Sequence, residues 1–505
     1  MLFNSYIFVL LFLPCALGSY YLLNHFHRYT SAKAILVLMS LWFYAYFNVS
    51  YLKIILLSVL LNFALSKLIL HFRQKSRMGC SKGTLAVGIL ANLALIFHYK
   101  YFNFFMENLS AFLHIDFSFR NILMPLGISF FTFQQISYLV DSYREETREY
   151  RFIDYCLFVT FFPQLIAGPI VMHDEMIPQF QDQKRKSFDQ ESFAVGLYCF
   201  AVGMAKKVLL ADVLGGAVDW GFSNVSVLTA ADTAIVALLY TFQLYFDFSG
   251  YCDIAMGIAA FFGYDLPLNF DSPYKAVDII DFWKRWHKTL TDFLTKYVYI
   301  PLGGNRKGTF RMYMNFLIVF GVSGIWHGAG WQFVVWGMMH GALYVITRAV
   351  SKGRKDDGPV ENSGRTQRIF RGLSHGVRVL LTFLYVNAAW VFFRASSVKE
   401  GIQFLQKLVL GGTGKVSRTI AEAFNLDEFW YVVKVLHLDQ SQNSYFYVMV
   451  LFLIVCLFLI WAAPNAVQIA GKGRLNAAVV LMAAVLLVWS VVSFSGVSTF
   501  LYFNF

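Results

Sequence analysis

The feature that most constrains this chain is a near-continuous succession of apolar runs, many of them long enough to cross a lipid bilayer. A helix needs roughly 20 mostly apolar residues to span about 30 Å of hydrocarbon. Runs of that kind occupy 3–24, 34–49, 52–70, 84–99, 121–141, 152–170, 192–213 and 232–262, and continue at 312–330, 331–350, 375–394, 446–463 and 476–496. Hydrophobic residues make up 58% of the 505 and charged residues only 14%, which excludes an ordinary soluble globular chain. Lipid offers no water to backbone N–H and C=O groups, so only helices and closed barrels span it, and unbroken runs of this length mean helices. The expectation is an all-α polytopic membrane protein with roughly 11 to 13 transmembrane or re-entrant helices. It forms one integral-membrane domain over 1–505, with no soluble domain of useful size.

The formal net charge of +12 is informative through its placement. Arg28 and Lys33 follow the first run, Arg73, Lys75, Arg77 and Lys82 the third, and Arg144, Arg148 and Arg151 the fifth. These loops alternate, so basic residues collect on one side of the membrane, as the cytoplasmic face requires. That places the N-terminus outside and the loop Ser351–Gly372, with six Lys/Arg, inside. The basic balance is therefore topology and does not call for nucleic acid. The six cysteines show neither paired spacing nor a zinc pattern, and most fall inside apolar runs. The first run lacks a basic leader and a small-residue cleavage site, so it reads as a retained span.

Polar stretches are few: 171–191, 263–311, 351–373 and 396–445. In the second, prolines and Asx residues from Tyr264 to Pro273 favour turns. From Asp278 to Val298, Ile279, Phe282, Trp283, Trp286, Leu290 and Phe293 recur at helical spacing with Lys284, Arg285, Lys288 and Asp292 between them. That pattern suits one amphipathic helix at the membrane interface. A glycine-rich turn with Asn305, Arg306 and Lys307 follows. In the last stretch, 404–410 and 429–438 have the pattern of short interfacial helices. Pro125, Gly127, Pro163, Gly168 and Pro169 interrupt spans, as happens where irregular backbone lines a cavity.

Two Trp-His pairs carry the chemical interest, Trp286-His287 and Trp326-His327. A neutral imidazole is a natural general base near neutral pH, and ionisable groups at membrane depth are retained mainly where they line a polar pathway. Alone, a histidine in an apolar helix such as His327 is more often a satisfied structural residue than a catalytic one. Glycines at 321, 324, 328 and 330 permit close approach, and Trp326, Trp331 and Trp336 suit the wall of a cavity. His287 is either part of a surface anchor or a second imidazole at a cavity mouth, where Lys284 and Arg285 hold phosphates. His340 lies thirteen residues after His327 and shares no face with it unless the helix breaks. No histidine pair has i, i+3 or i, i+4 spacing, so no metal is expected. Gln243, Asp247, Ser249 and Tyr251 are polar residues within the run 242–262, and Asp247 needs a partner, either Arg285 or a histidine if its role is structural.

Taken together, Asp281-Phe282-Trp283-Lys284-Arg285-Trp286-His287, Tyr299-Ile300-Pro301-Leu302-Gly303-Gly304-Asn305-Arg306 and Gly324-Ile325-Trp326-His327-Gly328-Ala329 resemble the signature of the membrane-bound O-acyltransferases. The branch most similar is the bacterial one typified by the alginate O-acetylation membrane protein. Pro125–Phe131, Phe162–Ile170, Asp247–Tyr251 and Trp390–Ala395 add to the likeness in family order, the core motifs falling at about 121–350. After Gly168-Pro169-Ile170 relatives often carry a basic residue, whereas Val171-Met172 precede His173 here. The resemblance implies helices around a central tunnel, with an acyl thioester such as acetyl-CoA entering from the cytoplasm. It implies His327 as the catalytic histidine and His287 as its upstream companion. Lys284, Arg285, Trp286, Asn305 and Arg306 are expected around the donor, with Gln243, Asp247, Ser249, Tyr251, Trp326, Trp331 and His340 as supporting polar or tunnel residues. It implies a bacterial cytoplasmic-membrane enzyme that O-acetylates an extracytoplasmic polysaccharide, directly or through a partner acetyltransferase. The competing expectations are acyl or D-alanyl transfer to a teichoic acid or lipid-linked acceptor, and a proton-coupled transporter.

Overall fold

The structure, a computed structural model, describes residues 1–147, 149–351, 365–424, 434–435, 437, 443–471, 475–494 and 499–501. Among these every regular element is helical. Seven helical stretches are long and apolar enough to cross a membrane: Phe8–His25, Ser50–Gln74, Met78–Leu113, Gln190–Ser223, Trp331–Ser351, Ser374–Arg394 and Ser444–Trp461. Tyr29–Ala45 and Ala477–Val492 are shorter apolar helices. Most of the basic loop 351–372 and of the segment 429–438 lies outside the described residues.

The chain forms two compact units. The first comprises Met1–Ala205, Gly250–Leu268 and Ala470–Phe505, the second Lys206–Ser249 and Asn269–Ile469. In the first unit, helices Ser50–Gln74 and Met78–Ile96 pack against each other and against Ile128–Arg144. The run 152–170 is not one span. It divides into Phe152–Thr160 and a single turn, Phe162–Leu165, because Pro163 sits in the first turn of the second piece and Phe161 leaves helical geometry at φ −53°, ψ 109°. Gly127 adopts a left-handed φ of +70°, and any Cβ on it would lie 2.6 Å from the Leu165 carbonyl oxygen. The interruptions at Gly127 and Pro163 thus meet in one place. His173 is buried between the Asp141 carboxylate, 3.2 Å from its Nε2, and the Tyr150 hydroxyl, 3.3 Å from its Nδ1. Both ring nitrogens are occupied in holding the segment that follows Pro169, which gives His173 a structural role.

The 32-residue helix Ala230–Phe261 begins in the second unit and ends in the first. Gln243, Asp247 and Ser249 therefore belong to the second unit, while Tyr251, packed on Phe3 and Phe500, belongs to the first. In the second unit, Thr309–His327 and Trp331–Ser351 lie side by side. Their approach is set by glycine: a Cβ on Gly324 would fall 2.4 Å from the Phe333 carbonyl oxygen, and one on Gly337 2.4 Å from that of Phe320. Small residues at facing positions bring two helix backbones together where no hydrophobic effect drives them.

The stretch Asp278–Val298 departs from the expected interfacial helix. It is broken into Ile279–Arg285 and Lys288–Leu294, with Trp286 extended and His287 left-handed between them. Its apolar residues Ile279, Phe282, Trp283, Trp286, Leu290 and Phe293 are all buried. The periodicity was that of a core-facing stripe, which has the same spacing as a lipid-facing one.

Gly324→Ala is expected to lower stability by about 1–3 kcal/mol, since the methyl group meets backbone and the helices must part. Gly321→Ala, whose Cβ would meet only the Met338 sulfur at 3.7 Å, is expected to change stability little. Thermal unfolding of the two variants in detergent checks the contrast; equal melting temperatures would contradict this account of the packing.

Candidate active site

The site is built at two breaks in helical backbone within the second unit. Helix Ile279–Arg285 starts on Asp278, whose Oδ1 accepts from the N–H groups of Ile280 (3.0 Å) and Asp281 (2.9 Å). It stops where His287 takes φ 46°, ψ 51°, a conformation that costs a β-carbon residue roughly 1–2 kcal/mol. The strained turn is held by its neighbour, the segment from Asn269. Asn269 O accepts from Lys288 N–H at 3.0 Å, and Arg285 O accepts from Asp271 N–H at 2.9 Å. The second break follows His327, the last residue of its helix, where Gly328 becomes extended at φ −164°, ψ 156°. Gly328 lies so close to the Phe333 ring that a Cβ would sit 2.1 Å from it. The chain then turns through Ala329 and Gly330 into the helix beginning at Trp331.

These breaks bring the histidines together. The rings of His287 and His327 have centroids 6.3 Å apart, and both residues are buried. The indole of Trp336 lies 5.0 Å from His327 and 5.0 Å from His340, edge-on to the first. Because the helix breaks at 328–330, His340 joins the cluster through Trp336. Trp390 stacks on Trp336 at 5.5 Å and packs on Trp286 at 4.9 Å, while Phe393 closes on His327 at 5.2 Å. The interior is thus a set of imidazoles walled by indoles and a phenyl ring.

Hydrogen bonds fix how two of the imidazoles present themselves. The Trp283 Nε1–H, which can only donate, reaches His340 Nδ1 at 3.3 Å, so the proton of His340 sits on Nε2. His287 Nδ1 lies 3.1 Å from the side-chain oxygen of Asn269. His287 falls between the spans, and burial pushes its imidazole down to about 3, so it rests neutral at physiological pH.

The remaining predicted residues divide. Trp326 is buried beside both catalytic candidates, whereas Trp331 is 57% exposed and does not wall the cluster. Trp286 is a core residue wedged among Phe270, Phe282 and Trp390, and the Lys284, Asn305 and Arg306 side chains are exposed. Arg285 Nε is tied to Asp281 Oδ1 at 2.8 Å. The turn bearing Asn305 and Arg306 is anchored by Asn315 Nδ2 donating to Gly304 O at 2.9 Å. Asp247 is expected to meet Arg285 or a histidine, whereas the ion pair it forms is with a lysine. Its partner is Lys207, whose Nζ sits 2.8 Å from Asp247 and 2.7 Å from Asp212. Lys207 is absent from the sequence-based set, although a lysine pair inside the run 192–213 was its visible signal. Ser249 is buried, and its hydroxyl has no hydrogen-bond partner among the described residues.

The class of this helical membrane protein is given by its likeness to known proteins. The profile of the membrane-bound O-acyltransferase family matches residues 41–372, and the chain belongs to that family. A peptidoglycan O-acetyltransferase of Helicobacter pylori is 40% identical over 81% of this chain and 80% of its own length. A protein named probable alginate O-acetylase in Pseudomonas aeruginosa is 34% identical over 83% of this chain and 76% of its own. A teichoic acid D-alanyltransferase of Streptococcus thermophilus is 25% identical over 54% of this chain and 71% of its own. The chain is a multi-pass membrane O-acyltransferase, which sets aside the transporter expectation.

Lys207→Met leaves the buried Asp247 carboxylate without its ammonium and is expected to cost about 3–5 kcal/mol. Adding Asp247→Leu should recover part of that loss, because the unpaired charge goes with it. Unfolding midpoints of the single and double variants in lipid nanodiscs test this; a double variant no more stable than the single one would refute the pairing as the source of the cost.

Proposed function

We propose that this protein moves an acetyl group from a cytoplasmic thioester, acetyl-CoA, to hydroxyl groups of an extracytoplasmic polysaccharide, directly or by way of a partner acetyltransferase. The observation that carries the chemistry is the buried His287–His327 pair, with ring centroids 6.3 Å apart, at two helix breaks in an O-acyltransferase fold. The acetyl group and polysaccharide class are favoured by relatives named peptidoglycan O-acetyltransferase and alginate O-acetylase, which match far more of the chain at higher identity than the D-alanyltransferases do. The alternating basic loops support a bacterial cytoplasmic membrane with the N-terminus outside.

In this reading His327 takes the proton of the acceptor hydroxyl as its oxygen attacks the thioester carbonyl carbon. The carbon–sulfur bond breaks as the tetrahedral oxyanion collapses, and the CoA thiolate receives the proton by way of His287. His340 Nε2–H and Trp336 Nε1–H are buried donors with no hydrogen-bond partner among the described residues, and they supply polarity on the oxyanion side. Exposed Lys284 and Arg306, with Arg285, hold the phosphates of CoA. Asn305 shapes the turn that presents Arg306.

His327→Ala is expected to abolish CoA release from acetyl-CoA by the purified protein in lipid, with its unfolding midpoint within a few degrees of the parent. Turnover at the parental rate would remove His327 from the mechanism. Release by the parent only with a different acyl thioester would overturn the choice of donor.

A further inference from the structure

Asn269 belongs to the turn-forming stretch Tyr264–Pro273 and not to the candidate site residues, yet it contacts His287 and both residues that follow it. Its backbone oxygen accepts from Lys288 N–H at 3.0 Å. Its side-chain oxygen lies 3.3 Å from Thr289 N, 3.0 Å from Thr289 Oγ1 and 3.1 Å from His287 Nδ1. Asn269 is fully buried, as is His287. A backbone N–H can only donate, so the amide atom facing Thr289 N is the acceptor oxygen, and the amide cannot be turned the other way. An acceptor facing His287 Nδ1 requires that nitrogen to carry its proton.

We infer that Asn269 sets the tautomer of His287, holding the Nδ1 proton so that Nε2 meets the reactants with a lone pair. This deepens the two-histidine acyl-transfer reading and rests on it. The consequence is an order of events. At rest Nε2 has no proton to give, so His287 must first accept the one released from the acceptor hydroxyl before it can deliver a proton to the CoA thiolate. During that interval the imidazolium still donates Nδ1–H to Asn269, and the proton count balances: one leaves the hydroxyl and one ends on the thiol. Asn269 is a positioning residue, acting through His287 without touching substrate.

Asn269 Oδ1 reaches this ring at Nδ1, at 3.1 Å. Phe248, Phe270, Trp326 and His327 pack against His287. His327 is the titratable member of that set. Asp247, next to Phe248, is engaged by Lys207, and Asp271, next to Phe270, accepts from Asn465 Nδ2 at 3.0 Å. On the turn itself Arg285 is paired with Asp281, and Lys288 is half-exposed.

The test uses the full-length protein in lipid nanodiscs, with CoA release from acetyl-CoA measured across pH and histidine nitrogen resonances recorded from ¹⁵N-labelled protein. The His287 signals are assigned by difference from His287→Gln. Asn269→Ala is expected to lower kcat on the order of 100-fold with KM for the thioester little changed. Asn269→Asp keeps an acceptor and adds negative charge. It should retain more activity than Asn269→Ala and move the acid limb of the pH profile to higher pH, because a carboxylate favours the imidazolium. The parent spectrum should show His287 protonated at Nδ1. A parent His287 protonated at Nε2 would overturn the inference, as would an Asn269→Asp profile superimposable on the parent's. Should the parent release no CoA from acetyl-CoA, the donor assignment fails, and the nitrogen resonances still decide for or against Asn269.

Discussion

Everything in this protein that bears on chemistry depends on one constraint: hydrocarbon and packed helix offer no water, so each polar group inside must be satisfied by another residue. Lys207 shows the rule at full strength. Its ammonium is buried and stands between the carboxylates of Asp247 and Asp212. His173 shows it at lower charge, with Asp141 on one ring nitrogen and Tyr150 on the other. The same accounting makes exceptions informative. Buried N–H groups at Trp336 and His340 have no hydrogen-bond partner among the described residues, and both rings pack beside one another near His327.

The site follows from where helices stop. A continuous helix through 309–351 would put His327 and His340 on different faces, and a continuous helix through 278–298 would carry His287 around the surface. Breaking the first at Gly328 and the second at His287 points both Trp-His pairs inward and lets Trp336 join His327 to His340. Each break has a local cause. Gly328 faces a phenylalanine ring with no room for a side chain, and His287 is forced into left-handed backbone by the lashing of Asn269 and Asp271 across the turn.

Helical class, membrane character and the two Trp-His pairs were legible from the sequence, because apolar run length and the rarity of histidine in such runs are properties of the chain itself. Helix Ala230–Phe261 and the pair around Gly328 fall close to their expected positions for the same reason. What was not legible turns on partners. The spacing of Phe282, Trp283, Trp286 and Phe293 looks identical whether the stripe meets lipid or protein, so the helix break and the burial of Trp286 were invisible. Asp247 announced that it needed a counter-charge, but Lys207 lies 40 residues earlier and nothing local connects them. Trp331 has the composition of a cavity wall and faces outward, since the turn at Gly330 resets the helical phase.

The turn at His287 brings backbone strain and a buried imidazole to one residue. Left-handed backbone at a histidine is unfavourable by roughly 1–2 kcal/mol and persists only where surrounding bonds over-determine it. Those bonds come from Asn269, through its carbonyl to Lys288 and its amide oxygen to His287 and Thr289. A glycine would relieve the backbone but carry no imidazole, and a regular helix would need no strain but would release the ring from Asn269. Left-handed geometry at a histidine is what lets one asparagine grip the backbone on one side of the ring and the ring itself at Nδ1. The strain is therefore tied to orientation: the fold stabilises an unfavourable backbone angle at the residue whose ring Nδ1 lies 3.1 Å from the Asn269 side-chain oxygen.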